Sequence, residues 1–215
     1  MIKNVLFDLD GTLIDSSECI YSVYSALFKE MGIRMPVGKE RRKLIGPPVE
    51  RTLKNFTNLD PTPYGKRFRE IYSTVDLKKT NRLYDGIKET LRSLSDEGYR
   101  LFTATSKAEK FAVKILDYLG ADGFFTAIYG SRYELNRTEK KDVIEDLVAD
   151  FGLKKEDCLL IGDTVFDVEG AKKAGIKVAI VKYGFGEEED FCANDVEFFA
   201  DLPMDIVKKM EEING

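Results

Sequence analysis

Short apolar runs alternate with amphipathic helical stretches through most of this 215-residue chain, and that alternation constrains the fold more than any other feature. The apolar runs predict strands at Asn4–Leu9, Tyr99–Thr105, Phe124–Tyr129, Cys158–Ile161 and Lys177–Val181. The stretches between them predict helices at Asp85–Glu97, Ala108–Leu119, Glu139–Phe151 and Asp167–Ala174, each meeting a glycine at its end. Such an alternation indicates a parallel sheet with crossover helices, so we predict an α/β protein with a Rossmann-like core.

One long stretch, residues 16–80, breaks the alternation. Its pattern is helical, with Gly32 placed to end a first helix, and it contains no strand pattern. It carries 13 Lys and Arg against 7 Asp and Glu, although the whole chain has a net charge of −5. We therefore predict an α/β core of residues 1–15 and 81–215 with a helical cap of residues 16–80. A basic lid of this kind would suit an anionic substrate.

The composition excludes several classes of protein. A hydrophobic content of 43% and a charged content of 33% describe an ordinary globular protein, and no apolar run is long enough to span a membrane. The N-terminus lacks a signal-peptide pattern and the three cysteines, Cys19, Cys158 and Cys192, form no motif, so we expect a cytoplasmic protein. The modest negative charge argues against nucleic acid or a membrane as partner. Because the chain has no histidine, Ser-His-Asp and Cys-His catalysis and His-ligated zinc are excluded.

Two acidic pairs follow two of the predicted strands. Asp8 and Asp10 end the first strand on one side of it, and Asp163 and Asp167 follow the strand at Cys158–Ile161. The carboxyl ends of parallel strands meet at one edge of the sheet, where ligands of such sheets bind. Four carboxylates gathered there would repel one another unless a cation held them together. A metal held by carboxylate oxygens indicates phosphate chemistry.

Two further segments are expected at the same edge. Thr105-Ser106-Lys107 ends the strand at Tyr99–Thr105 and offers hydroxyl and backbone N–H groups. Lys140, near the start of a predicted helix, can supply a fixed positive charge. Each segment alone is unspecific, since Asp-Gly is common in turns and a lone lysine is usually solvated. The four segments in this order are specific.

These segments resemble, in order, the four motifs of the haloacid dehalogenase-like hydrolase superfamily. The resemblance implies that Asp8 is a nucleophile that takes up a phosphoryl group as an aspartyl-phosphate. It implies that Asp10 protonates the leaving oxygen and then helps to activate the water that hydrolyses the intermediate. Thr105, Ser106 and Lys140 would bind the phosphoryl oxygens.

The resemblance also implies Mg²⁺ as the cofactor. The ion would be held by a carboxylate oxygen of Asp8, the backbone carbonyl of Asp10 and Asp163, with Asp167 as a ligand or as an orienter through water. Mg²⁺ and Lys140 would together offset the repulsion between a carboxylate nucleophile and a phosphate.

Within the superfamily, the chain most resembles phosphoglycolate phosphatase-like proteins, whose helical cap lies between the first and second motifs. The loop Ile45-Gly46-Pro47-Pro48-Val49-Glu50 stands where their cap carries a substrate-facing loop, and Tyr183-Gly184-Phe185-Gly186 resembles a loop after their fifth strand. Arg41, Arg42, Lys43 and Gly46 are accordingly candidates for contacts with the far end of a substrate.

The resemblance predicts a Mg²⁺-dependent phosphatase that hydrolyses a small phosphomonoester metabolite, as either a monomer or a homodimer. Asp10 argues against a dehalogenase and a phosphonatase, which lack this second aspartate. The absence of histidine argues against a β-phosphoglucomutase-like mutase, so this activity is a more distant alternative. A 5′-nucleotidase or a pyrophosphatase is a closer alternative, and a phosphoaspartate signalling module is the alternative from a different class.

Overall fold

A six-stranded sheet forms the centre of the computed structural model, which describes residues 1–135, 137–191 and 195–215. With strands numbered in chain order, the sheet runs β5 (Ala127–Ser131), β4 (Arg100–Ala108), β1 (Asn4–Phe7), β6 (Cys158–Gly162), β7 (Lys177–Val181) and β8 (Phe199–Ala200). Every neighbouring pair is parallel. The α/β prediction is therefore confirmed, and β1 lies in the interior of the sheet with its carboxyl end between those of β4 and β6.

Helices cover both faces of this sheet. They are α6 (Ile87–Asp96), α7 (Glu109–Leu119), α8 (Lys140–Asp150), α9 (Val165–Ala174) and α10 (Pro203–Asn214). Successive β1 side chains point to opposite faces, so Val5 and Phe7 pack with α6, α7 and α10 while Leu6 packs with α8 and α9. Both faces are thus apolar and buried, which explains why the strands read as nearly continuous hydrophobic runs.

Between residues 16 and 81 the chain forms five helices, called here the helical segment. They are α1 (Ser17–Met31), α2 (Lys39–Arg42), α3 (Val49–Leu53), α4 (Pro61–Tyr72) and α5 (Leu77–Thr80). The first ends at Gly32, which adopts the left-handed conformation as predicted, and aromatic packing joins Tyr24 of α1 to Phe68 of α4. Two short antiparallel strands, β2 (Ile14–Asp15) and β3 (Arg82–Leu83), pair where the chain enters and leaves the segment. That residues 16–80 behave as a separate cap stays a prediction.

The structure departs from several of the predicted elements. Strand β1 ends at Phe7, two residues before the predicted end at Leu9. Strand β4 continues past Thr105 to Ala108, with an irregular register against β5 after Ala104. Strand β5 begins after Phe124 because residues 122–124 form a 3-10 turn. Strand β8 and helix α10 were not predicted, and a two-residue edge strand such as β8 leaves almost no period to detect.

Two sequence expectations concern cysteines and membranes. Cys19 and Cys158 are buried free thiols, whereas Cys192 lies outside the described residues. Across the three described ranges, no helix combines the length and the apolar character needed to cross a lipid bilayer.

Candidate active site

Asp8 follows β1 directly, and its backbone N–H donates to the carbonyl of Ile161 on β6 at 2.8 Å. Its carboxylate is buried, and Oδ1 lies 2.8 Å from Nζ of Lys140, the first residue of α8. The same Nζ lies 2.5 Å from Oδ1 of Asp167 in the first turn of α9. Burial lowers the pKa of Lys140, but the charges of Asp167 and Asp8 raise it more, so the ammonium stays charged. One buried cation therefore joins acidic residues from two different motifs.

The second oxygen of Asp167 organises the loop after β6. Its Oδ2 accepts from the backbone N–H groups of Asp163 at 3.2 Å and Thr164 at 2.9 Å, and from the Thr164 hydroxyl at 2.9 Å. Thr164 caps α9, so this is a reciprocal cap across the first turn of the helix. Both carboxylate oxygens of Asp167 are thus engaged, one by Lys140 and one by the loop that carries Asp163.

Asp163 is held by groups from two other loops. Its Oδ2 accepts from the backbone N–H of Phe185 at 2.7 Å, and its Oδ1 accepts from the Thr12 hydroxyl at 3.3 Å. Phe185 belongs to the loop after β7 that the sequence singled out, and Tyr183 of that loop donates to the backbone carbonyl of Thr12 at 3.0 Å. The loops after β1, β6 and β7 therefore converge on one carboxylate.

Glycines make this convergence possible. Gly11 has a φ of +87°, and a Cβ at that position would overlap Oδ2 of Asp163. A Cβ on Gly184 would overlap the Asp163 side chain and the carbonyl of Gly11. The backbone can approach the carboxylate this closely only where the side chain is a hydrogen atom.

Asp8, Asp163 and Asp167 form a buried carboxylate cluster in which one oxygen of each lies within 4.8 Å of the others. Burial raises the pKa of Asp8 to about 6, with Lys140 opposing this rise and Asp167 adding to it. Burial, followed by the charges of Asp167 and Asp8, raises the pKa of Asp163 well above its ordinary value. The cluster thus holds more negative charge than Lys140 offsets. An all-oxygen donor set with excess negative charge fits a hard divalent cation, and the predicted metal ligands Asp8, Asp163 and Asp167 lie together.

Asp10 stands outside the carboxylate cluster and has a different partner. Its Oδ2 lies 2.9 Å from Nζ of Lys107, which also donates to the hydroxyl of Tyr72 on α4 at 2.8 Å. Lys107 is buried, and although burial lowers its pKa, the charge of Asp10 and the neighbouring Tyr72 raise it more. Oδ1 of Asp10 is buried and has no hydrogen-bond partner among residues 1–135, 137–191 and 195–215.

Thr105 and Ser106 lie at the end of β4 beside these groups. Thr105 is buried, and its hydroxyl accepts from the backbone N–H of Lys107 at 3.2 Å. Ser106 lines a cavity of about 80 Å³ between the sheet edge and the helical segment, together with Asp10 and Lys107. Ser106, one of the predicted phosphate-binding residues, therefore shares a cavity with Asp10, the predicted acid–base residue.

Most of the cavity wall comes from the helical segment and is apolar. It includes Ile20, Tyr24, Phe68 and Pro48. Gly46 also lines the cavity, with a φ of +111° that favours glycine. This is the one cap candidate from the sequence that the described cavity wall contains.

The other three cap candidates lie elsewhere. The Arg41 guanidinium stacks over the ring of Tyr21 at 4.0 Å from its centroid, Arg42 pairs with Glu187 at 3.4 Å, and Lys43 is exposed. Substrate contacts by these residues stay a prediction.

Arg69 on α4 is a basic residue at the cavity that the sequence analysis missed. It pairs with Glu50 at 2.6 Å and stacks over the ring of Tyr133, 4.1 Å from the centroid. The Tyr133 hydroxyl donates to the other oxygen of Glu50 at 3.3 Å. This trio joins α3 and α4 to the loop after β5, and only the tertiary structure reveals it because the three residues are far apart in the chain.

Comparisons with known proteins identify the family of this chain. The profile of the haloacid dehalogenase-like hydrolase family matches residues 5–181. The chain belongs to this family. The predictions of the superfamily and of a hydrolase are thereby confirmed.

The family relatives cover nearly the full length of the chain. It is 36% identical to a 5′-nucleotidase of Pseudomonas aeruginosa, over 93% of this chain and 91% of that one. It is 31% identical to a phosphoglycolate phosphatase of Aquifex aeolicus, over 98% of this chain and 97% of that one. The structure of a predicted phosphatase from Clostridium acetobutylicum is 32% identical and matches with a TM-score of 0.90, covering 99% of this chain and 100% of that one. Two of these three proteins are phosphatases by name, and the other is a 5′-nucleotidase.

Proposed function

We propose that this family member is a Mg²⁺-dependent phosphatase of small phosphomonoesters and that Asp8 carries the phosphoryl group. The observation that supports this most directly is the position of Asp8. Its carboxylate is buried, lies 2.8 Å from Lys140, and shares the carboxylate cluster with Asp163 and Asp167. A nucleophilic carboxylate needs this much positive charge nearby because it must attack a phosphate that is itself anionic.

The reaction would use Asp8 and Asp10 in two displacements. A carboxylate oxygen of Asp8 attacks the phosphorus, the bond to the leaving oxygen breaks, and Asp10 gives that oxygen a proton. A water then attacks the aspartyl-phosphate, Asp10 takes a proton from this water, and phosphate leaves with Asp8 restored. Dividing the hydrolysis in this way lowers the barrier of each displacement.

The other motif residues would bind the transferring group. Lys140 and the N–H and hydroxyl groups of Thr105 and Ser106 would contact the phosphoryl oxygens. Asp8, Asp163 and the backbone carbonyl of Asp10 would hold Mg²⁺, whose charge offsets the repulsion between nucleophile and phosphate when it is bound. Asp167, with both oxygens already engaged, would act by orienting Lys140 and the Asp163 loop.

The size of the cavity supports a short leaving group. The cavity has a volume of about 80 Å³, and Asp10 and Ser106 are among the residues that line it. A space of that size holds on the order of half a dozen water molecules. A two- or three-carbon alkoxide, as in phosphoglycolate, suits it better than a nucleoside.

A 5′-nucleotidase is the second candidate, and a groove next to the cavity supports it. A groove of about 850 Å³ adjoins the cavity, and Arg69, Ala108, Ser131 and Tyr133 line both. A longer leaving group could extend past these residues towards Lys66, Lys110 and Lys114 in the groove.

Activity with a small panel of substrates tests the proposal. We expect continuous hydrolysis of 4-nitrophenyl phosphate with Mg²⁺, loss of that activity in EDTA, and recovery when Mg²⁺ is restored. Phosphoglycolate, glycerol 3-phosphate, AMP and pyrophosphate then rank the substrate classes. Stoichiometric labelling that stops after one turnover would instead favour the phosphoaspartate signalling module, and complete inactivity would overturn the proposal.

A further inference from the structure

The two oxygens of the Asp10 carboxylate lie in different surroundings. Oδ2 lies 2.9 Å from Nζ of Lys107, whereas Oδ1 is buried without a hydrogen-bond partner in the described part of the chain. Buried carboxylate oxygens are normally paired, so an oxygen without a protein partner, in a residue that lines the cavity, is available to a group bound there. From this asymmetry we propose that Lys107 is a positioning residue that fixes the rotation of the Asp10 carboxylate so that its Oδ1 carries the catalytic proton.

This inference rests on the proposed function, in which Asp10 serves as acid and then as base. In the first displacement the proton on Oδ1 passes to the leaving oxygen, and in the second Oδ1 takes a proton from the attacking water. Oδ2 can accept from Lys107 in both steps, because an acid and a carboxylate each present an acceptor there. The contact therefore holds the same geometry through both halves of the reaction.

Lys107 can act in this way because its own side chain is held on several sides. Nζ donates to the hydroxyl of Tyr72 at 2.8 Å and lies 4.7 Å from the centroid of the Tyr72 ring. The Lys107 backbone N–H donates to the Thr105 hydroxyl at 3.2 Å, so the residue is tied to the strand end as well. A buried lysine with both ends anchored cannot follow an alternative rotamer of the aspartate without losing these contacts.

Tyr72 extends the arrangement to the helical segment. It is the last residue of α4, and its ring packs 4.7 Å from the ring of Phe111 on α7 and 6.0 Å from that of Phe68. The orientation of Asp10 thus depends on α4 lying against α7. Correct placement of the proton at Oδ1 then requires the helical segment to be seated on the core.

The decisive test compares leaving groups by kcat/KM, which reports events up to departure of the leaving group. An alkoxide needs protonation as it leaves, whereas 2,4-dinitrophenolate does not. The alkyl probe is whichever of phosphoglycolate, glycerol 3-phosphate and AMP the wild type hydrolyses fastest. We expect Lys107→Met to lower kcat/KM for the alkyl phosphate by about 10- to 100-fold, part of what general acid catalysis contributes, and for 2,4-dinitrophenyl phosphate by less than about threefold.

Two milder variants keep the test decisive if Lys107→Met does not fold. Tyr72→Phe removes only the hydroxyl and keeps the ring contacts, so it should show the same selectivity with a smaller loss, about threefold to tenfold on the alkyl phosphate. Lys107→Arg keeps the cation and should recover part of the alkyl phosphate activity. Asp10→Asn serves as the reference pattern, since it removes the acid itself.

Each outcome decides between positioning and a structural role. Equal losses on both substrates in Lys107→Met and Tyr72→Phe, or no loss on either, would overturn the inference. Should Lys107→Met fail to fold by circular dichroism, the ratio in Tyr72→Phe alone decides. A wild type inactive on every ester would refute the proposed phosphatase, a result distinct from a wild type whose variants lack leaving-group selectivity.

Discussion

Nζ of Lys140 lies 2.5 Å from Oδ1 of Asp167, although the two residues lie in the first turns of different helices on the same face of the sheet. The contact places the lysine against Asp8 as well and ties the start of α8 to the loop after β6. A carboxylate whose oxygens are both occupied in this way acts by holding other groups in place.

Asp167→Asn tests this role. The amide cannot pair with Lys140 and accept from the loop with equal strength, so Asp163 and Lys140 lose their orientation. We expect apparent Mg²⁺ affinity or activity to fall by about 10- to 100-fold, measured as kcat over a range of Mg²⁺ concentrations. Asp117→Asn, the same change at an exposed position on α7, is the matched control and should change neither quantity. A normal Mg²⁺ dependence in Asp167→Asn would contradict the role.

Asp8→Asn should abolish turnover and leave the protein folded. An amide is a poor nucleophile towards phosphorus, so we expect kcat to fall by at least about a thousandfold. Because burial raises the pKa of Asp8 to about 6, its charge is unfavourable in the fold, and removing it should not lower the melting temperature. Near-normal activity in Asp8→Asn would show that another group carries the phosphoryl.

Mg²⁺ should stabilise the protein more at pH 8 than at pH 5. A carboxyl with a raised pKa binds its proton more tightly in the folded state, so without metal stability falls as pH rises from the unfolded pKa near 4 through about 6 for Asp8. A cation that binds the ionised cluster reverses this loss and competes with protons at low pH.

Differential scanning fluorimetry measures the effect. At Mg²⁺ about 100-fold above its dissociation constant, stabilisation of about 2.7 kcal/mol corresponds to a rise in melting temperature of roughly 5 to 10 °C at pH 8. The rise should be much smaller at pH 5. Asp163→Asn should lose the rise at pH 8, and an equal rise in this variant would place the binding site elsewhere.

Tyr133→Ala should change which leaving groups the enzyme accepts. Tyr133 stacks with Arg69 and lies where the cavity joins the adjoining groove, so removing the ring widens the passage. We expect the kcat/KM ratio of AMP to phosphoglycolate to rise by about tenfold, which is about 1.4 kcal/mol. Tyr133→Phe keeps the ring, loses only the hydrogen bond to Glu50, and should leave the ratio within about twofold. An unchanged ratio in Tyr133→Ala would mean that the passage does not select substrates.

The residues at the sheet edge could be predicted because strand order and direction determine where they lie. Asp8 and Asp163 follow neighbouring parallel strands, so any such sheet brings them together. Lys140 could be named only through the resemblance, since the sequence alone does not distinguish a buried lysine from a solvated one. The structure places it with both aspartates.

The contacts that link Asp10 to Lys107 and then to Tyr72 could not be predicted. Lys107 reaches Asp10 because β4 continues beyond Thr105 with an irregular register, a feature without a sequence pattern. Its other partner, Tyr72, lies 35 residues away in a helix whose packing the sequence does not specify.

The net positive charge of the helical segment predicted a basic lid, but this count does not show where the basic residues lie. Arg42 and Arg51 pair with Glu187 and Glu169 of the core at exposed positions, and the cavity wall is mainly apolar. Charge counted along a chain does not show which surface it faces. In this protein, some of the basic residues of the helical segment pair with acidic residues of the core.

The small antiparallel pair of β2 and β3 has a consequence for the whole molecule. Ile14 lies opposite Leu83 and Asp15 opposite Arg82, so the chain leaves the core and returns to it at adjacent points. Because both ends of the helical segment meet at this one place, a segment of another length could be joined there without a change in strand order, provided that it also restored contacts with the core such as that of Arg51 with Glu169. The parallel sheet and the residues at its carboxyl edge could then stay the same beneath a different helical segment.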